Sequence, residues 1–328
     1  MNLNEIKTFL GRDWEKTEYY INRSLKSDID LLDSTNRSIL AHSGKQLRPL
    51  ISLLAARACS GGRATEDSFR YAAGTELLHN ATLLHDDVAD GSDQRRGMPT
   101  VMSLLGPSVS VLIGDYWLVK AVDLILEGDS AGNTVIRLFS KTLSDLAEGE
   151  LLQLQKARSG DTDENDYIRI IFNKTASLFV AAAASAAVSV NASDRDREKV
   201  TEYAKALGLA FQIKDDIFDY SPEVDTGKPA GVDILEQKIT MPLLGAFSNA
   251  GREKEMEIRG KISRIAEDPE AIRDEILAFA RENGGIEYAV RTLDSYIRKA
   301  EDSLDGLPES AEKGHLLRIA EFVGKRNS

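Results

Sequence analysis

The amino-acid sequence predicts an all-α protein, and three observations carry the prediction. Strand signals are scarce: no sustained apolar/polar alternation is bounded by turn residues, and no Asn-Gly or Asp-Gly pair joins two β-branched runs. Leu, Ala, Glu and Lys dominate, and apolar residues recur at three- and four-residue spacing, the period of a helix with a buried face. Helix punctuation is regular. Pro49 can open a helix after the polar Ser43-Gly44-Lys45-Gln46 stretch, because its missing N–H costs nothing in a first turn, and Gly61-Gly62 closes it. Thr65 followed by Glu66-Asp67 starts the next, with acids where the helix dipole favours them. That helix should run to about Asp90, where Gly91-Ser92-Asp93 begins a loop reaching Pro99. Further helices are expected near 107–127, 133–157, 164–191, 195–220, 235–249, 252–266, 270–283, 286–303 and 309–325, with a kink at Pro242. Nothing between Gly44 and Ser248 reads as a linker, and Ser159 to Asp166 is short enough to join two helices. From about Gly251 the chain is richer in charge and reads as outer or closing helices. The expectation is one domain, 1–328, without a solenoid repeat.

Composition narrows the function classes. Apolar residues make up 42% and charged residues 29% of 328, enough for a large core, which excludes disordered, collagenous and disulfide-scaffold chains. Cys59 is the one cysteine, so no internal disulfide forms, and a reducing, cytoplasmic setting fits. A net charge of −12 argues against nucleic acid as a partner. The first residues carry Glu5 and Asp13 with no apolar stretch of the secretory kind. Thr175 to Ser193 is uncharged but mostly Ala and Ser, which suits close helix packing, within a subunit or across a two-fold axis, better than a membrane span.

Chemistry concentrates in two clusters. His85-Asp86-Asp87-Val88-Ala89-Asp90 and Lys214-Asp215-Asp216-Ile217-Phe218-Asp219 both read D-D-x-x-D behind an apolar approach. On a helix Asp86 and Asp90 share a face, as do Asp215 and Asp219. One such motif is ordinarily a solvated acidic face; two, each in an apolar helix, call for a cation. Oxygen-only ligands suit Mg²⁺, which usually takes one or two carboxylates plus substrate phosphates. Cations stand beside both clusters: Lys45 and Arg48 before Pro49, Arg95-Arg96-Gly97 after the first cluster, Lys174-Thr175 at the start of the Ala-rich run, and Lys228 and Lys238 after the second. In an acidic protein this placement points to phosphate recognition. His79, two turns before Asp86, is expected to face the same cavity, although by itself it reads as a core histidine; His85 points about 100° away and reads as structural.

With these residues in view, the sequence resembles the trans-isoprenyl diphosphate synthases, most nearly the bacterial long-chain polyprenyl diphosphate synthases. The resemblance runs from Gly44-Lys45-Gln46-Leu47-Arg48-Pro49 through Glu76–Asp90, Arg95-Arg96-Gly97, Phe211–Asp219, Gly227-Lys228 and Gly231-Val232-Asp233 to Leu307–Glu312. Ser43 stands where a second Gly is common, Gln46 replaces a frequent basic residue, and Pro229-Ala230 stiffens or lengthens the Gly-Lys loop. The resemblance implies long helices around a deep central cavity, with both aspartate motifs at its mouth. It implies that Asp86, Asp90, Asp215 and Asp219 hold Mg²⁺ against an allylic diphosphate, farnesyl diphosphate or similar, whose oxygens Arg95, Lys174, Thr175, Gln212 and Lys228 contact. Lys45, Arg48, His79 and Arg96 would bind isopentenyl diphosphate. A homodimer is implied too, and transient membrane contact when an apolar product leaves.

Product length is read along the helix below Asp86. The family stops short chains with aromatics near positions where this chain has Ala81 and Thr82. The face continues through Thr75 to Ala72, 14 residues or roughly 21 Å away, with Phe139 on a neighbouring helix as a candidate floor. The expectation is an all-trans product of about C40, within C35 to C50. Alternatives are a farnesyl or geranylgeranyl diphosphate synthase and a non-catalytic subunit of a heteromeric synthase. A terpene cyclase is disfavoured by the second D-D-x-x-D and the Lys45/Arg48/His79 set.

Overall fold

Helices start where side chains satisfy the loose backbone N–H groups of a first turn. The Ser68 N–H donates to Thr65 Oγ1 (3.3 Å) while the Thr65 N–H donates to Ser68 Oγ (3.0 Å), and Asp163 and Asp166 repeat the exchange. In the computed structural model, which describes residues 3–95, 97–128, 132–221 and 230–326, the chain is helical almost throughout. The order is α1 (Leu3–Leu10), α2 (Arg12–Ser24), α3 (Asp30–Ala41), α4 (Leu47–Ser60), α5 (Glu66–Ala89), a minimal hairpin of β1 (Gln94–Arg95) and β2 (Met98–Pro99), α6 (Val101–Leu105), α7 (Pro107–Leu126) and α8 (Thr134–Ser159). Then come α9 (Glu164–Ile171), a π-turn (Phe172–Ala176), α10 (Ser177–Ser189), α11 (Asp194–Asp219), α12 (Val232–Leu235), α13 (Met241–Ala250), α14 (Arg252–Ile262), α15 (Pro269–Glu282), α16 (Gly285–Ser303) and α17 (Ala311–Lys325).

The contacts divide the chain into two units. The first is Met1–Ser140, Leu178–Thr201 and Leu304–Arg318; the second is Lys141–Ser177, Glu202–Ser303 and Ile319–Ser328. In the first, α5 packs along α7. Ala72, Ala73, Leu77 and Leu78 of α5 are fully buried, which is why this helix lacks an amphipathic stripe. Close approach is set by small residues: Ser110 Oγ donates to the Leu84 carbonyl (2.9 Å), and a Cβ at Gly114 would stand 2.3 Å from His85 Nε2. Trp117 Nε1 donates to Asn36 Oδ1 (2.8 Å), whose amide donates to the Leu25 carbonyl (2.8 Å), fixing α3 against α7. The alanines of α10 are buried in this unit, so the Ala/Ser run is core packing.

In the second unit α13 packs on α16, with the Tyr288 ring over Gly245. Pro242 does not kink a helix. It lies in the first turn of α13 behind the Thr240 cap, because proline needs no partner for a missing N–H there and its fixed φ suits a helix start. The other departures are the hairpin within the 91–99 loop, the π-turn within the 164–191 helix, and α1 to α3, for which the sequence offered no clear punctuation. The run Glu164–Ser189 is long and apolar enough to cross a membrane by composition, and is mostly buried.

Candidate active site

The first carboxylate cluster lies at the C-terminal end of α5. The helix closes there because Gly91 adopts φ 61°, and the Asp90 N–H donates to the Asp86 carbonyl (2.8 Å). Asp86 is half-buried and Asp90 exposed, as i, i+4 neighbours at a helix mouth should be. Asp87 is buried, and Arg95 Nε reaches it at 2.7 Å. The hairpin, turned by Gly97 at φ 75°, therefore carries Arg95 back onto the middle carboxylate. His79 is half-buried; its carbonyl accepts from Thr82 Oγ1 (2.8 Å). His85 Nε2 lies 3.3 Å from both Asp115 Oδ1 and the Val111 carbonyl, a packing role. Ala81, Thr75 and Ala72 are buried on α5, and Phe139 is buried on α8.

In the same unit, Lys45 is exposed at the approach to α4 and Arg48 is half-buried in its first turn. The Arg48 guanidinium stands 4.5 Å from the Phe179 ring centre, a cation–π contact that orients its fork.

The second cluster is built on α11 in the second unit. A cavity of about 110 Å³ is lined by Tyr167, Lys174, Gln212, Asp216, Asp233 and Lys238, among others. Thr175 Oγ1 donates to Gln212 Oε1 (2.7 Å), Gln212 Nε2 donates to Asp216 Oδ1 (2.8 Å), and the Tyr167 hydroxyl donates to Asp216 Oδ2 (2.6 Å). Burial first, and the Asp233 charge second, push the Asp216 and Asp219 carboxyls above the usual carboxylate range. Burial also pushes the Tyr167 phenol up, which keeps it a donor. Lys174 Nζ pairs with Glu150 (2.6 Å) and donates to Gln153 Oε1 (3.1 Å); Lys238 pairs with Glu236 and lies 3.9 Å from Asp233.

Lys174 and Thr175 are set by the π-turn Phe172–Ala176, whose extra residue re-aims side chains in a way a regular helix cannot. Gly149 makes room for it: a Cβ there would lie 2.7 Å from Asn173 Cβ, 2.9 Å from Lys174 Cγ and 3.0 Å from Lys174 N.

The cavity takes Asp216 from the motif. Asp215 pairs instead with Arg326 (2.6 Å), which also donates to the Phe211 carbonyl (2.8 Å) and stacks on the Phe211 ring (4.0 Å). Asp219 accepts the N–H groups of Val232 (3.0 Å) and Asp233 (3.1 Å). Arg96 and Lys228 lie outside the described residues. Sequence reasoning missed Tyr167, Asp216, Asp233 and Arg326. The D-D-x-x-D template selects i, i+4 partners and passes over the middle aspartate, and Tyr167 and Arg326 sit far from either motif with no local signal.

Among the described residues no three His, Cys, Asp or Glu side chains form a metal cage. The donors of each cluster fit a hard divalent cation such as Mg²⁺: Asp86 and Asp90 at a helix mouth leave room for further oxygen ligands, and the crowded carboxyls of Asp216 and Asp219, held above the usual range, would ionise more readily beside a divalent charge.

Residues 29–278 match a family model described as polyprenyl synthetase. The octaprenyl diphosphate synthase of Haemophilus influenzae is 35% identical over 100% of this chain and 98% of its own. A polyprenyl synthase from Caulobacter crescentus, solved with calcium and isoprenyl diphosphate, superposes with a TM-score of 0.91 at 32% identity, covering 100% of this chain and 98% of the other. A decaprenyl diphosphate synthase from Rhodobacter capsulatus gives 0.91 at 30%, with 100% of both chains covered.

Proposed function

The chain belongs to the polyprenyl synthetase family, and from that premise we propose that it is a long-chain all-trans-polyprenyl diphosphate synthase. It adds isopentenyl diphosphate stepwise to an allylic diphosphate, farnesyl diphosphate or similar, and releases diphosphate at each round. The observation that carries the reading is the cavity beside the second carboxylate cluster, where Lys156, Lys174, Lys238 and a hydrogen-bonded amide meet the buried Asp216 and the half-buried Asp233. Fixed cations and donors there suit the oxygens of a diphosphate.

In each round the allylic C–O bond breaks and its electron pair leaves with the diphosphate. Arg95, Lys174, Thr175, Gln212 and Lys228 would donate to the oxygens on which that charge grows, with Lys238 beside them. Lys45, Arg48, His79 and Arg96 would hold isopentenyl diphosphate so that its alkene meets the allylic cation. A C–C bond forms, and the proton lost from the neighbouring carbon passes to the released diphosphate, so no protein nucleophile is required. Asp86, Asp90, Asp215 and Asp219 would hold Mg²⁺, which when bound supplies positive charge against the leaving group.

Small residues at Ala81 and Thr82, with Thr75 and Ala72 below them, support a long product of about C40; Phe139 is the candidate floor. The test is a sized-product assay with labelled isopentenyl diphosphate, farnesyl diphosphate and Mg²⁺. A ladder ending near C40 is expected, and Ala81→Phe should shorten it. No incorporation with any allylic primer would point to a non-catalytic subunit, and an unchanged ladder in Ala81→Phe would remove the chain-length assignment.

The enzyme is read as a homodimer. Leu105, Leu112, Val119 and Leu126 recur every seven residues along α6 and α7 and are 40% to 67% exposed, an apolar stripe suited to a two-fold contact. Leu112→Glu is expected to yield monomer by light scattering; an unchanged mass would exclude this face. A reducing, cytoplasmic setting belongs to the same reading, since Cys59 is the one cysteine of the sequence. Release of so apolar a product would bring transient membrane contact, seen as faster turnover with lipid vesicles.

A further inference from the structure

Gln46, between Lys45 and Leu47, adopts a left-handed backbone, φ 51° and ψ 39°, which a residue with a side chain takes up uncommonly. Its side chain is anchored from a distant part of the sequence. Lys7 of α1 donates from Nζ to Gln46 Oε1 at 2.7 Å, in a partly buried contact. The Lys7 ammonium also stands 4.6 Å from the ring centre of Trp14, whose side chain is buried. Burial pulls this ammonium below the ordinary lysine range, against the attraction of Glu18 and Glu76, so the fold bears a desolvation cost to keep a charge here.

The turn that Lys7 grips carries Lys45 one residue before Gln46 and Arg48 two residues after it. A Gln46 that relaxed to an extended backbone would swing Lys45 away from Arg48, because one φ/ψ change redirects everything before it. We propose that Lys7 is a positioning residue: by clamping Gln46 in the left-handed turn it holds Lys45 and Arg48 in the relative orientation that receives the diphosphate of isopentenyl diphosphate. The inference rests on the reading of Lys45 and Arg48 given under the proposed function.

The test is a cycle of full-length variants, titrated calorimetrically with isopentenyl diphosphate. Lys7→Met removes the donor and keeps the apolar stem on Trp14; Gln46→Gly takes φ 51° without strain and removes the side-chain oxygen that Lys7 holds. Lys7→Met should weaken binding by roughly ten-fold, the lower end of what one charge-assisted contact contributes. It should have no effect in the Gln46→Gly background, and Lys7→Arg should keep native affinity. In steady-state assays the rise should fall on KM for isopentenyl diphosphate and not on KM for the allylic substrate, a split that general loosening would not produce. Unaltered binding in Lys7→Met overturns the inference. So does equal weakening in both backgrounds, which would make Lys7 a direct charge contact or a folding residue. An Arg48→Ala variant with native affinity would instead show that the reading of the turn as a diphosphate site is wrong, and the inference would fall with it.

Discussion

Asp86→Ala is expected to lower kcat/KM for condensation by at least about a hundred-fold, the scale on which one electrostatic stabiliser of a leaving group acts. The fold should survive the change. Asp86 is half-buried, its carbonyl still closes the helix by accepting from Asp90, and the buried Asp87 keeps its Arg95 partner. The effect should therefore appear in turnover and in Mg²⁺ dependence, with the thermal midpoint close to native. Activity within ten-fold of native would remove Asp86 from the machinery and leave the first D-D-x-x-D as a solvated helix end.

The second large effect is expected at a residue with no functional group. Gly149→Ala places a methyl against the Asn173 Cβ and the Lys174 backbone nitrogen, atoms that cannot rotate away. The π-turn must shift, or α8 must move off it. Either way Lys174 leaves its position beside Gln153 and Glu150, and Thr175 loses its register with Gln212. Overpacking of this kind costs about 1–3 kcal/mol of stability. A displacement near 1 Å at the cavity should reduce kcat/KM by about ten- to a hundred-fold. Unfolding scans and single-turnover rates together would check both. A variant that loses stability but keeps its turnover would mean that Lys174 is not held through this contact.

The architecture was legible in the sequence because helices announce themselves by period and caps. Thr65, Gly61, Pro107 and the Gly91 stop all lie within a residue or two of their expected places. What was not legible had non-local causes. Pro242 could be read as a kink or a start, and packing of α13 on α16 decides for a start. A π-turn has no composition signature, since its extra residue is tolerated only because a glycine stands opposite on α8. The site followed the same division. Both aspartate clusters and their cationic neighbours could be read from spacing. The partner of each carboxylate could not: Asp87 with Arg95, Asp216 with Tyr167 and Asp215 with Arg326 are tertiary choices among chemically identical side chains. Spacing assigns aspartates to a helix face, whereas the surroundings assign them their work.

The Asp215–Arg326 pair bears on how the sequence can vary. Arg326 is almost wholly enclosed, its charge balanced by one carboxylate and its plane laid on the Phe211 ring. It follows directly on α17, so its direction is fixed by counting residues along that helix. Deleting one residue from the last turns of α17 would rotate Arg326 by about 100° and draw it back about 1.5 Å. Asp215 would lose its counter-ion, and the aromatic face beneath it would be uncovered. Substitutions on the exposed side of α17 should accumulate freely, but insertions and deletions there should be rare, an intolerance to changes in length typical of a core helix.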